Sequence, residues 1–192
     1  MNRPATPPAP SSGEARRLRA LAHPLRWKLI DVLSSERSAT ATRCAEVLGE
    51  SVASCSYHLG ILGKYGYIEL VPDSPGRERP WRLASPRQDL VPSPGDRESE
   101  LAAEAAAEAF LDHEVDRMKQ RLRRLSGEAA EWREATFAGG STIYVSASEL
   151  RQLSEELKAV LVRYEDRDDP GARPPGAREA RIFASTSVAP EP

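Results

Sequence analysis

Apolar residues recur at helical spacing along the first third of the chain and predict four helices joined by short turns. The first helix is expected from Glu14, and the second over about residues 25–34, with Pro24 in its first turn. A short third helix is expected over residues 41–48 and a fourth over residues 52–64. The residues expected to face inward are Leu18, Leu21, Ala22, Leu25, Leu29, Val32, Leu33, Cys44, Val47, Leu48, Cys55, Leu59 and Leu62.

A tight turn and a hairpin frame the fourth helix. Gly49 fits a helix C-cap, and Ser51 is a favourable N-cap for the helix that follows. After Gly66, the β-rich run 67–71 predicts one strand, and residues 81–83 predict a returning strand. The sequence therefore predicts a hairpin with a long, arginine-bearing loop.

Beyond a linker rich in Pro, Ser and Gly, residues 97–125 predict one long helix without Pro or Gly. Its apolar residues step by four and three, which forms a heptad seam expected at a dimer interface. Burial of this seam within one chain is the alternative. The seam consists of Leu101, Leu111, Val115, Met118, Leu122 and Leu125.

The C-terminal part predicts a helix over residues 128–137 and then a strand–helix–strand unit. The strands are expected at 142–145 and 180–187, and Ser146 with Glu149 has capping-box spacing for the helix between them. That helix is expected to reach about residue 164. Its inward face is expected to be Leu150, Leu153, Leu157, Val160 and Leu161.

The predicted fold class is mainly α with small β elements: a winged helix-turn-helix followed by a C-terminal α/β dimerisation region. The order helix, helix, short helix, turn, helix and hairpin supports the first part. The expected divisions are 1–13, a disordered tail; 14–84, the winged helix-turn-helix; 85–96, a linker; 97–138, dimerisation helices; and 139–192, the strand–helix–strand region with a flexible tail.

The outer side of the fourth helix carries the candidate DNA contacts, because small residues would let it enter a major groove closely. Arginines of the hairpin could reach phosphates or a narrow minor groove. The predicted contacts are Val52, Ala53, Ser54, Ser56, Tyr57, His58, Lys64, Arg77, Arg79 and Arg82. For His58, DNA contact and buried hydrogen bonding are both open.

Charge and composition are consistent with a polyanion-binding N-terminal half. Residues 1–91 carry 13 Lys and Arg against 9 Asp and Glu, whereas residues 92–192 carry 14 against 20. Because no apolar run could span a membrane or form a secretion signal, and there are only two cysteines, we expect a cytoplasmic protein without a disulfide framework.

The sequence resembles ArsR-type winged-helix regulators over about residues 15–84, nearest to longer actinobacterial members with an added C-terminal domain. The likeness rests on "LRALAHPLRWKLIDVL", "CAEVLGESVASCSYHLGILGKYGYIELV" and "GRERPWRL". Three parts are specific: Ala22-His23-Pro24 with Arg26, Ser56-Tyr57-His58-Leu59, and Gly66-Tyr67-Ile68. The resemblance implies a homodimer that binds a near-palindromic operator on double-stranded DNA, usually as a repressor.

The sequence departs from the metal-sensing branch of that family. The positions of its paired cysteine ligands hold Thr40 and Thr42, and Thr is a poor ligand for soft metals. No second histidine follows His113 to form the other ligand pattern. We therefore expect no metal and no cofactor, and we expect Cys44 and Cys55 to be buried packing residues rather than a thiol switch.

Two alternatives stay open at this point. The first is a winged-helix protein-interaction module without DNA binding. The second concerns residues 142–187, which could sense an unidentified small-molecule or protein effector, or could cap the dimer. No enzyme is expected, because no nucleophile elbow, phosphate-binding glycine loop or HExxH pattern is present.

Overall fold

A computed structural model describes residues 13–72, 78–85 and 90–189, with the side chain of Asp168 excepted. Several predictions lie outside the described residues: the tail over residues 1–12, Arg77 in the hairpin loop, the linker over residues 86–89 and the last three residues of the flexible tail.

The described residues are mainly helical, with one small antiparallel sheet. The helices and strands, in chain order, are α1 (Gly13–Arg19), α2 (Pro24–Glu36), α3 (Ala41–Leu48), α4 (Val52–Lys64), β1 (Ile68–Leu70), β2 (Trp81–Leu83), α5 (Arg97–Leu125), α6 (Ala130–Ala135) and α7 (Ala147–Val162). The predicted bounds of α3, α4 and α5 are confirmed. The chain divides into two compact units between Ser126 and Gly127.

Side-chain caps explain why the helices begin where they do. His23 caps α2 by accepting a hydrogen bond from the Leu25 amide, and Thr40 and Ser51 cap α3 and α4 in the same way. Gly49 ends α3 in the left-handed conformation with φ of 68°, which a side chain would strain. The turn predicted between α3 and α4 is therefore confirmed.

The first unit encloses the hydrophobic core, which α2, α3, α4, the hairpin and part of α5 build together. Leu29, Leu33, Leu59 and Leu62 are almost completely buried in it. Val47 was expected to face inward, but it is 45% exposed, and this prediction is wrong. The buried positions of the short α3 are Cys44 and Ala45. At about 100° per residue, Val47 lies on the other side of Cys44 from Ala45 and hence toward solvent.

The hairpin is attached to the helices at its second strand. In the sheet, Glu69 pairs with Arg82 and Leu70 pairs with Trp81. Trp81 also exchanges two backbone hydrogen bonds with Ala39, of 2.8 and 3.0 Å, in the loop before α3. Strand β2 is therefore hydrogen-bonded on both edges, to β1 on one side and to Ala39 on the other.

All of α5 belongs to this unit, and its N-terminal half is the part that carries buried alanines. Asp96 caps the helix, and Ala102, Ala103, Ala106 and Ala109 are buried where it packs against α1 and α2. Alanine brings the helix axes close because its side chain is short. The C-terminal half of α5 carries most of the seam residues described below.

The second unit consists of helices and irregular segments in its described residues. The capping box of Ser146 and Glu149 is present at the start of α7, as predicted. The strands expected at 142–145 and 180–187 are absent, and no residue described between 127 and 189 is buried. A β-rich run needs a hydrogen-bonded neighbour to become a strand, and neither run has one among these residues.

The inward face predicted for α7 is only partly covered. Leu150 and Leu153 are half-buried, whereas Leu157, Val160 and Leu161 are exposed. Among the described residues, no helix is both long enough and apolar enough to cross a bilayer.

Candidate nucleic-acid interface

Helix α4 is anchored to the core by one apolar side. Cys55, Leu59 and Leu62 lie at i, i+4 and i+7, and each is fully buried. The Ser51 hydroxyl accepts a hydrogen bond from the Ser54 amide at 3.1 Å and fixes the first turn. The predicted buried stripe is confirmed, so the opposite side of the helix must face outward.

The outward side of α4 is mostly small and uncharged. Val52 is 45% exposed and Tyr57 is 65% exposed, and Ala53 and Ser56 are also exposed. Ser54 is half-buried, and its amide is already used by the cap. The front face of α4, as named below, consists of Val52, Ala53, Ser56, Tyr57, Gly60 and Lys64.

Gly60 belongs to the front face but was not among the predicted contacts. A Cβ atom built at this position would meet nothing within 4 Å, so the glycine leaves open space on the helix surface. Its position was available from the sequence, because residue 60 lies one helical turn after Ser56 and Tyr57. The front face therefore has no side chain at position 60, one turn beyond Ser56.

His58 lies on the buried side of α4. It was placed among the candidate DNA contacts with buried hydrogen bonding left open, and at 8% exposed it takes the buried position. Arg26 Nε donates a hydrogen bond to His58 Nδ1 at 3.2 Å, and the rings of His23 and His58 lie 4.4 Å apart. The spacing 55, 58, 59 and 62 is that of one helix face, which was the signal for burial.

Arg26 joins α4 to the turn between α1 and α2. Besides the bond to His58, its Nη1 donates to the carbonyl of Ala20 at 2.7 Å. Burial lowers the pKa of Arg26 and also lowers the pKa of His58, helped by the nearby His23 and Arg26. Because Nδ1 of His58 must accept, the ring is neutral in this arrangement.

The hairpin carries both exposed and paired cations. Arg79 is exposed, whereas Arg82 donates from Nε to the carboxylate of Glu69 at 2.8 Å across the sheet. Glu78 accepts a hydrogen bond from the Thr42 hydroxyl at 2.9 Å, which links the loop to α3. The charge of Arg82 is thus partly neutralised, a feature that its sequence position did not reveal.

The hairpin and α4 lie side by side. A Cβ atom at Gly63 would come within 2.6 Å of the Trp81 ring, so the missing side chain lets the indole rest on the helix. Trp81 is packed against the hydrophobic core, which attaches the hairpin to the helices. The structure thereby places β2, which carries Arg82, directly beside α4.

The predicted seam of α5 is exposed in the single chain. Leu101, Leu111, Val115, Met118 and Leu122 are 39–48% exposed, and Leu125 is half-buried. Among the described residues, five of the six seam positions are therefore exposed, and the dimer interface stays a prediction.

A polar cluster joins α2 to α5. Asp31 accepts one hydrogen bond from Nη1 of Arg117 and lies 2.7 Å from Nε2 of His113. Glu114 is 2% exposed and lies 3.8 Å from the same arginine. No local pattern indicated that His113 pairs with Asp31, because 82 residues separate them.

Both cysteines are free and fully buried, as predicted. Burial raises the pKa of Cys44 to about 11 and also raises the pKa of Cys55. Since the thiolate is the reactive form, neither thiol is activated for chemistry near neutral pH.

A scan against models of protein families and a search of curated proteins both find nothing that matches this chain.

Proposed function

We propose that this protein is a sequence-specific DNA-binding transcription regulator of the winged helix-turn-helix type. It acts as a homodimeric repressor on a near-palindromic operator and does not respond to metals. The resemblance to ArsR-type regulators supports this proposal, as does the order of four helices and a hairpin in the first unit.

One observation carries the proposal: α4 is fixed to the core along one side and exposes a front face without any acidic residue. A helix that enters a major groove needs a rigid mounting and a surface that does not repel the duplex. The buried Cys55, Leu59 and Leu62 supply the first requirement. The short side chains around Tyr57 and the terminal Lys64 supply the second.

The hairpin supports the same function from beside the helix. Arg79 is exposed and can neutralise a phosphate, which contributes affinity without sequence preference. Arg82 contributes less in the free protein, because Glu69 already holds its guanidinium. In the complex, we expect the guanidinium of Arg82 to contact a DNA phosphate in addition to Glu69.

The dimer part of the proposal rests on the α5 seam. The apolar residues of the seam recur at heptad spacing on an exposed side of a 29-residue helix. A second copy of α5 would cover them and would place two α4 helices on one duplex. Such a dimer suits operator half-sites about 34 Å apart.

DNA binding is tested by gel shift at two salt concentrations, with a duplex selected by the full-length protein from a random library. Binding should weaken steeply with salt. Tyr57→Ala should lower the affinity about tenfold, because an exposed hydrogen-bonding ring is lost from the front face. Replacing both Arg79 and Arg82 by Ala should weaken binding to all duplexes and flatten the salt dependence.

The matched control is Arg16→Ala, which removes an exposed arginine from α1. It should leave the affinity within about twofold of wild type, the scatter expected for a distant surface change. Equal loss in the control and in the hairpin variant would mean that only overall charge matters. Absence of binding to every duplex at low salt would exclude the proposal.

The alternative function is a protein-interaction module on the same fold. One observation favours it: Arg82 is already paired with Glu69, which reduces the free positive charge beside α4. Exposed Val52 and Tyr57 could then contact a protein. A dimer that shows no salt-dependent DNA binding would favour this alternative.

A further inference from the structure

The residue types on α4 restrict which bases it can recognise. Arg, Lys, Asn and Gln make the paired hydrogen bonds that select guanine or adenine in the major groove. Among residues 52–64 only Lys64 is of these types, and it lies at the last helical position. At 1.5 Å per residue, Lys64 is about 18 Å along the axis from Val52, so the first turn has no such contact of its own.

The first turn of α4 instead offers methyl groups to whatever it meets. Val52 is 45% exposed although it is apolar, and Ala53 beside it is exposed as well. The thymine C5-methyl is the one apolar group that the major groove presents, and small apolar side chains contact it. The chemistry of this turn therefore matches thymine better than any other base.

The charge beside this turn argues against a phosphate contact there. Glu50 is exposed two residues before Val52, and a carboxylate repels a phosphate at close range. The Ser51 hydroxyl also occupies one of the free amides at the helix start, that of Ser54. This end of α4 is consequently suited to base edges rather than to the DNA backbone.

We propose that Val52 and Ala53 select half-sites that place thymine methyl groups against the first turn of α4. The inference rests on the proposed DNA-binding function and adds the base class that the protein recognises. Ser56 and Tyr57 lie one turn further along. Their hydroxyl groups can hydrogen-bond to any base, so they add little to the selection of thymine.

The test replaces thymine by uracil, which removes the methyl group and leaves base pairing intact. Full-length protein first selects duplexes from a random library, and each thymine of the selected half-site is then changed to uracil in turn. At one or two positions the affinity should fall about fourfold, the value expected for one buried methyl group. Uracil at the other positions should have little effect.

Two variants assign the loss to the proposed residues. Val52→Ser and Ala53→Ser should each bind the thymine duplex more weakly and should no longer distinguish it from the sensitive uracil duplex. The matched control is Val47→Ser on α3, since Val47 has the same exposed fraction of 45%. This control should keep the wild-type difference between thymine and uracil. Circular dichroism spectra should be unchanged for all three, because the replaced side chains are exposed.

The outcomes separate this inference from the function on which it rests. Tight binding to a selected duplex with no sensitivity to uracil would overturn thymine recognition while leaving DNA binding in place. Uracil sensitivity that survives in both the Val52 and Ala53 variants would assign it to other residues and would also overturn the inference. If no duplex is bound at all, both proposals fail together.

Discussion

The hydrogen bond between Arg26 and His58 depends on the protonation state of one ring. Nδ1 of His58 can accept from Arg26 only while it keeps its lone pair, and a protonated ring would face the Arg26 charge at close range. Burial therefore favours the neutral ring and lowers the pKa of His58 below its ordinary 6.5. Of the two roles left open for His58, the structure shows the buried hydrogen bond, which ties α4 to Arg26 of α2.

This arrangement predicts acid sensitivity of the fold. When the pH falls below about 6.5, the unfolded chain takes up a proton at His58 before the folded protein does, so the free energy of unfolding decreases. Above that pH the His58 contribution is fully present. Urea titrations at pH 7.5, 6.5 and 5.5 measure this change.

His58→Asn is the informative variant, because its side-chain oxygen can accept near the position of Nδ1 and cannot be protonated in this range. Between pH 7.5 and 5.5, the free energy of unfolding of this variant should change less than that of the wild type. His58→Leu should destabilise the fold by about 1–3 kcal/mol at pH 7.5, since a buried donor of Arg26 loses its acceptor. An unchanged pH dependence in His58→Asn would contradict the role given to this ring.

At the scale of single elements, two glycines of α4 have opposite surroundings. Gly63 faces the Trp81 ring, whereas Gly60 faces open space. Gly63→Ala should destabilise the fold by about 1–3 kcal/mol, because the new methyl group must displace the indole that joins the hairpin to the helix. Thermal unfolding followed by circular dichroism measures the change.

Gly60→Ala serves as the matched control for stability. It adds the same methyl group to the same helix where nothing obstructs it, and alanine favours helix by up to about 1 kcal/mol over glycine. It should therefore unfold at the same or a higher temperature than wild type. Similar destabilisation by both substitutions would show that the Trp81 contact does not govern the effect.

Helix α5 combines two different surfaces along its length. Its N-terminal half packs small alanines against the first unit, and the seam residues lie exposed mostly in its C-terminal half. If the seam is a dimer interface, Met118→Glu combined with Leu122→Glu should give monomers, because carboxylates would be buried against each other. Analytical ultracentrifugation over a range of protein concentrations gives the oligomeric state.

The control for this variant changes charge on the same helix away from the seam. Gln120→Glu combined with Arg124→Glu alters two exposed positions that lie four residues apart, like Met118 and Leu122. These changes should leave the oligomeric state of the wild type unaltered. A dimer that survives the Met118 and Leu122 changes would place the interface elsewhere.

At the scale of the whole molecule, the buried residues are distributed very unevenly. Every residue that the structure describes as buried lies between Ala15 and Glu114, within the first unit. The described part of the second unit exposes apolar side chains such as Ile143, Tyr144 and Leu157 instead. Cooperative unfolding requires a packed core, so the two units should differ sharply in stability.

A chain that ends at Ser126 tests this difference. It should unfold in one cooperative transition close to that of the full-length protein, because it keeps all the described buried residues. A chain of residues 127–192 should melt without a cooperative transition at the same concentration. Loss of the transition in the shorter N-terminal chain would show that the second unit stabilises the first.

Local patterns were sufficient for the elements of the first unit. Caps such as Thr40 and Ser51, the left-handed Gly49 and the periodicity of α4 act over one or two helical turns, so the chain itself specifies them. The same holds for α5, whose bounds follow from Asp96 at its start and from an unbroken run of helix formers. The expected burial of Cys44 and Cys55 also followed from their spacing.

Only the tertiary structure decided the contacts between distant residues. The partners Arg26 and His58, Glu69 and Arg82, and Asp31 and His113 are separated by 32, 13 and 82 residues, and no local pattern encodes them. The strands expected at 142–145 and 180–187 were wrong for the same reason, since a strand depends on a neighbour that the local sequence does not specify. Periodicity fixes which side of a helix is apolar, whereas burial and charge pairing depend on what packs against it.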